Sequence, residues 1–112
     1  MKVAVCGSGE VLFFIAQTIL AKGYQLTIIC PEPATCERLA REFKATVICG
    51  DPTRLSVLKD ALVERQVLVA LLADDAANYR VCQMALHRLR IARAVSLIKN
   101  PVNEAFFTRM GV

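Results

Sequence analysis

Gly7-Ser8-Gly9 separates an apolar run, Lys2 to Cys6, from a second apolar stretch that opens at Glu10. Two glycines so spaced between a strand and a helix suit a diphosphate. The first permits a sharp turn, the second lets the anion approach the backbone, and the free N–H groups of the helix start point toward it. Glu32 lies 23 residues beyond Gly9, where dinucleotide-binding folds place the carboxylate that accepts ribose hydroxyls. The competing reading is a tight turn that holds no ligand. Asp74-Asp75 has the form of a carboxylate pair for acid–base work, but a carboxylate just ahead of a helix is a natural N-cap, with Asn78 completing the turn. His87, the only histidine, falls mid-helix without a partnering carboxylate or cysteine, which favours a structural or solvated role.

Cys6, Cys30, Cys36, Cys49 and Cys82 are odd in number and contain no C-x-x-C pair, so neither a disulfide framework nor a zinc site is signalled. They suit a reducing compartment, most simply as small apolar filling. Cys6, Cys30 and Cys49 nevertheless close three successive strands, with Cys36 nearby, which leaves thiol redox sensing or soft-metal capture at that rim as an alternative. Arg80, Arg88, Arg90 and Arg93 have no interleaved aromatics and read as a solvated face rather than a nucleic-acid surface, with Arg90 and Arg93 expected in a turn.

The elements that must position these residues follow from periodicity. Short apolar runs alternate with helical patterns, as in βαβ units around a parallel sheet. Strands are expected at Lys2 to Cys6, Gln25 to Cys30, Thr46 to Cys49, Val67 to Leu72 and Ala94 to Ile98. Helices are expected at Glu10 to Lys22, stopped by Gly23, and at Ala34 to Phe43, with Leu39 and Phe43 inward. A third, capped by Asp51 or Thr53, runs to about Ala61; a fourth goes from Asp74-Asp75 to about Leu89, and a last one starts at Pro101. The fold class predicted is α/β, a Rossmann-like doubly wound parallel sheet of five strands in the order 3-2-1-4-5 with helices on both faces. Its ligand crevice opens at the carboxyl ends of strands 1 and 4, where the order reverses. Ser8-Gly9-Glu10, Glu32, Asp51-Pro52-Thr53, Ala73-Asp74-Asp75 and Lys99-Asn100 would share that rim.

The 112 residues suffice for one core. The apolar stretch from Val11 to Ala21 is too short for a membrane span, and Met1-Lys2 leads straight into a strand without a signal-like segment, so the chain is expected in the cytoplasm with no direct membrane insertion. Fourteen basic and ten acidic residues give a net charge of +4, compatible with an anionic ligand but interspersed. Phe13, Phe14, Phe106 and Phe107 read most simply as core and helix-packing residues, while a first helix apolar on nearly every side suggests burial against something beyond its own sheet, such as a second subunit.

Across nearly its whole length the sequence resembles the nucleotide-binding N-terminal domain of potassium-transport regulators, the RCK or KTN domains of Trk-type uptake systems. The resemblance rests on VAVCGSGEV, LTIICPEPATCERLA, VICGDPTRLSVLKDA, LVALLADDAANYRVC and SLIKNPVNEAFFTRMGV. It implies a non-enzymatic domain that binds NAD or NADH, alternatively ADP, ATP or AMP, works as a homodimer or higher oligomer, and serves a potassium transporter membrane subunit. It implies that Gly7, Ser8, Gly9, Glu10 and Val11 form the phosphate turn. Asp51 and Thr53 stand near the adenine, Ala73, Asp74 and Asn78 form the loop and helix start after strand 4, and Lys99 is the nearest cation. Residues 1 to 112 then form one domain, ending before the family's sixth strand and leaving strand 5 open for pairing with another copy.

Three positions depart from the family pattern. Leu12 replaces the third glycine, so the helix is expected to stand farther from the sheet. Cys30 replaces the strand 2 carboxylate and leaves Glu32 to reach back past Pro31, and Leu97 replaces a strand 5 arginine. Leu12 and Cys30 keep open a degenerate Rossmann scaffold for protein association. An NAD-dependent oxidoreductase fragment is the third reading, opposed by the lack of a Tyr-x-x-x-Lys pair, of a histidine by the crevice and of room for a substrate domain.

Overall fold

Five short apolar runs pair side by side in the computed structural model, which describes residues 1–62 and 66–112. The strands are β1 (Lys2–Gly7), β2 (Gln25–Cys30), β3 (Thr46–Cys49), β4 (Val67–Leu71) and β5 (Arg93–Ser96). Between and after them lie α1 (Glu10–Ala21), α2 (Pro33–Glu42), α3 (Leu55–Ala61), α4 (Asp75–His87) and α5 (Glu104–Met110), the last entered through a 3-10 turn at Pro101–Asn103. The sheet is parallel throughout, in the order β3-β2-β1-β4-β5. This is the doubly wound arrangement that the alternation predicts.

Alternate residues of the central strands supply two cores. Val3, Val5, Ile28 and Cys30 meet Leu12, Ala16 and Ile19 of α1 and Cys36 and Leu39 of α2. Ala4, Cys6, Leu68 and Ala70 meet Leu58 of α3 and Val81, Cys82 and Ala85 of α4 on the other face. Because β1 and β4 are covered on both sides, hardly any of their residues can be polar. Leu12 is wholly enclosed and packs into the α1/α2 core.

Gly23 adopts φ 81° and donates to the Leu20 carbonyl, ending α1 as a left-handed cap. Several boundaries differ from expectation. Neither Asp51 nor Thr53 caps α3, whose N-cap is Arg54 and which has no side-chain cap. The Asp51 carboxylate is already held by Thr53, and the helix begins only at Leu55. Strand β5 starts at Arg93, which pairs with Val67, and Arg90 alone takes the left-handed turn position at φ 54°. It ends at Ser96: Leu97 still donates to Ala70, but its carbonyl accepts from Asn78, and the next residues are drawn toward Asp75.

The cysteines are corrected too. Cys6 lies opposite Ile29, not Cys30, in the β1–β2 register, and successive strand residues alternate faces. Cys6 therefore joins Cys82 in the α3/α4 core, while Cys30 and Cys49 are register partners on the α1/α2 side. His87 is exposed at the end of α4.

Candidate functional site

β1 sits at the centre of the sheet, between β2 and β4, so the turn that leaves it opens at the reversal of strand order. Gly7 pairs with Leu71, and a Cβ there would stand 2.7 Å from the Leu71 carbonyl oxygen. The first glycine is thus fixed by the neighbouring strand. Gly9 is the N-cap of α1 at φ 85° and ψ −173°, a conformation almost confined to glycine, and a Cβ there would meet nothing within 4 Å. No side chain caps α1. Its first N–H groups and the positive end of its dipole accordingly face the surface beside Ser8, Glu10 and Val11, which is the chemistry an anionic diphosphate requires.

A cleft of about 350 Å³ adjoins this turn, lined by Gly9, Glu10, Phe13, Thr35 and Arg38. The guanidinium of Arg38 lies 4.2 Å from the centre of the Phe13 ring and is held by Glu42 at 2.9 Å. Phe13 packs in turn on Phe43 at 5.8 Å between ring centres. Phe13, Thr35 and Arg38 come from two helices, and no local spacing marks them as neighbours. A larger hollow, about 520 Å³, lies under Lys2, Gln25 and Thr46 at the opposite, amino ends of the strands. It is thus remote from the switch point.

Glu32 is exposed at the N-cap of α2, and its carboxylate caps nothing. It stands two residues beyond the end of β2, whereas the Cys30 side chain is completely enclosed and its thiol is directed at the Glu32 carbonyl oxygen, 3.9 Å away. The exposed carboxylate at the tip of β2 is that of Glu32.

Beyond β3, the Asp51 carboxylate accepts from the Thr53 hydroxyl at 2.7 Å and the Thr53 backbone N–H at 2.9 Å. Those bonds, hydroxyl first, hold its pKa below the ordinary aspartate value, with help from Arg54 and Arg80. Arg80 donates to the Thr53 carbonyl at 2.9 Å, tying this loop to α4.

After β4, Ala73 is exposed and Asp74 caps α4 by accepting from the Ala77 N–H at 2.8 Å. Asn78 is buried, not part of an open turn. Its carboxamide oxygen accepts from Leu72 N–H at 2.8 Å, and its nitrogen donates to the carbonyls of Leu72 and Leu97, each at 3.2 Å. Asn78 thus braces the ends of β4 and β5 against each other. Asp75 accepts from the backbone of Lys99 and Asn100 and from the Asn103 side chain, at 2.8, 3.0 and 2.9 Å. These bonds, led by that from Lys99, lower its pKa from the ordinary value. Lys99 consequently enters the rim through its backbone, with its side chain exposed. The clamp by Asp75 escapes sequence reading because its partners lie more than twenty positions away.

The predicted residues therefore share one rim at the carboxyl ends of the strands, with Asn78 just beneath it. Among the described residues no helix is long and apolar enough to cross a membrane.

Comparison with known proteins agrees with this geometry. The TrkA-N domain profile matches residues 3–112. A Trk system potassium uptake protein TrkA homolog of Methanothermobacter thermautotrophicus is 30% identical over 113 aligned positions, covering 100% of this chain and 52% of the relative. TrkA of Mycobacterium tuberculosis is 32% identical over 108, covering 96% of this chain and 49% of the relative. The chain thus spans about half the length of these relatives. Among solved structures, the GsuK channel bound to NAD superposes with a TM-score of 0.85 at 16% identity, over 99% of this chain and 20% of that one. The NAD(P)-binding domain of an exopolyphosphatase-related protein from Archaeoglobus fulgidus gives 0.86 at 20% identity, over 98% and 82%. The glycine turn, the strand order and the match across almost every residue lead to one conclusion: this chain belongs to the TrkA-N domain family.

Proposed function

We propose that the chain is a non-enzymatic nucleotide-sensing domain, taking NAD(H) or an adenine nucleotide, that serves as the cytoplasmic regulatory part of a potassium uptake or channel assembly. The observation that carries this reading is the uncapped start of α1 behind Gly9, at the centre of the sheet and open to solvent. The potassium-uptake names of the relatives and the NAD bound to GsuK support it.

In this reading the N–H groups beside Ser8, Gly9, Glu10 and Val11 hold the diphosphate, and Glu32 accepts from the ribose. Asp51 and Thr53 border the adenine, Ala73, Asp74 and Lys99 line the far wall, and Gly7 and Asn78 act as positioning residues. A bound nucleotide supplies no reaction here; it supplies differential contact. When α1, the β3 loop and the start of α4 meet the ligand better in one arrangement of the assembled subunits than in another, occupancy shifts the balance between them.

Isothermal titration calorimetry with NADH, NAD, ADP and ATP tests the reading. Saturable heat with at least one of them, weakened at least tenfold by Gly9→Ala, is expected. No heat with any nucleotide at millimolar concentration would overturn it and favour the protein-association reading, to which the enclosed thiol of Cys30 at the ribose end already points.

A further inference from the structure

Three cysteines converge where β2 and β3 end. Cys30 and Cys49 are direct partners in the parallel register, so their side chains leave the same face of the sheet. Cys36 stands one turn into α2, the helix that covers this face, and its thiol donates to the Cys30 carbonyl at 3.2 Å. The same thiol lies within interaction range of the thiols of Cys49 and Cys30. Their exposure differs sharply: Cys30 and Cys36 are buried, whereas Cys49 is exposed on the edge strand. A solvent-facing thiol backed by a buried one is the arrangement in which an oxidised sulfur is resolved internally.

We propose that Cys49 and Cys36 form a hydroperoxide-responsive dithiol, in which Cys49 is oxidised first and Cys36 closes an internal disulfide. The Cys49 thiolate attacks one oxygen of the hydroperoxide. An S–O bond forms, the O–O bond breaks, and the departing oxygen takes up a proton. Cys36 then loses its proton and attacks the sulfenic sulfur, so that an S–S bond forms and the S–O oxygen leaves as water. Two thiols lose two electrons in all, and hydrogen peroxide is reduced to two waters.

The order follows from the surroundings of each sulfur. Burial, and then the adjacent thiols of Cys49 and Cys30, push the Cys36 pKa up to about 12, so at neutral pH Cys36 is a protonated thiol, slow to react until an oxidised neighbour is presented to it. Cys30 is completely enclosed beneath the pair. No group of histidine, cysteine, aspartate or glutamate side chains suited to holding a metal ion occurs among the described residues, so the cluster's chemistry is that of thiols. The new bond would fasten α2 to the last residue of β3, between Glu32 and Asp51, and so hold together the two loops that edge the rim on this side.

The test treats the chain with excess hydrogen peroxide, blocks remaining thiols without reductant and digests with trypsin. The expected product joins peptide 23–38, which carries Cys36, to peptide 45–54, which carries Cys49, lighter by the lost pair of hydrogens. The link is expected to vanish in Cys49→Ala and Cys36→Ala and to persist in Cys30→Ala. Cys36→Ala should instead leave a sulfenic acid on Cys49 that a cyclic 1,3-dione captures. Should a buried variant fail to fold, fragmentation of the wild-type linked peptide places the bond at Cys36 or at Cys30. Oxidation of Cys49 only to the sulfinic acid, only to a bond between two chains, or to a bond with Cys30 would overturn the proposal. Nucleotide takes no part in this readout, so its outcome is independent of the sensing function.

Discussion

Gly7 and Gly9 are glycines for different physical reasons. Gly7 faces the Leu71 backbone, so Gly7→Ala forces β1 and β4 apart and is expected to cost about 1–3 kcal/mol in urea unfolding. Gly9 has space above it but a glycine-only conformation. Gly9→Ala is expected to cost a similar amount, about 1–3 kcal/mol, while its new methyl group enters the open space beside the start of α1, where the proposed diphosphate would sit. Double loss, of stability and of nucleotide affinity, would distinguish it from Gly7→Ala with the ligand still binding to the folded fraction. Asn78 presents a third case. Its carboxamide meets three backbone groups in a buried place, so Asn78→Leu, which removes every partner at once, is expected to destabilise by about 1–3 kcal/mol in the same measurement.

At the level of elements, α1 is held by a narrow buried edge, Leu12, Ala16 and Ile19, while Val11 and Phe14 remain exposed. Leu12→Ala leaves a cavity beneath the helix start and is expected to cost about 2–5 kcal/mol in denaturant melts. The segment after β5 depends on a different force, the acceptance of two backbone N–H groups and one carboxamide by the Asp75 carboxylate. Its folded-state pKa lies below the ordinary 3.8, so this contribution to stability is fully present above that value and is lost as pH falls through the folded pKa. Amide exchange at Lys99 and Asn100 is therefore expected to accelerate on acidification below pH 3.8, beyond the intrinsic pH trend. In Asp75→Asn that extra acceleration should disappear, because the acceptor no longer titrates.

Considered whole, the molecule places its glycine turn at the middle of the sheet and its edges at β3 and β5. A ligand that binds only the folded form stabilises it by mass action: at one hundred times its dissociation constant, about 2.7 kcal/mol. The proposed nucleotide is thus expected to raise the thermal midpoint in a concentration-dependent manner, read by differential scanning calorimetry, and to raise that of Gly9→Ala distinctly less, since tenfold weaker binding leaves about 1.4 kcal/mol at the same ligand concentration. Exposed Val11 and Phe14 on α1, with Val102 and Phe106 near the end of the chain, are apolar surface that a subunit partner would cover. Phe14→Glu is expected to lower the sedimentation-derived mass if α1 lies in such an interface.

What the sequence determined by itself were the features written in local periodicity: five apolar runs, the helices between them, the cap at Gly23 and a glycine turn at the end of a central strand. Alternation and right-handed crossovers leave few ways to order such strands, so the position of Gly7-Ser8-Gly9 at the switch point could be reached without coordinates. The tertiary structure alone decided which side each tip residue faces. A one-residue offset in register sends Cys6 to one core and Cys30 to the other, the span from Asp75 to Lys99 becomes a direct hydrogen bond, and Arg38 comes to rest over Phe13. Those outcomes depend on strand register and helix placement, which are set by the packing of the whole core and leave no mark in the spacing of neighbouring residues.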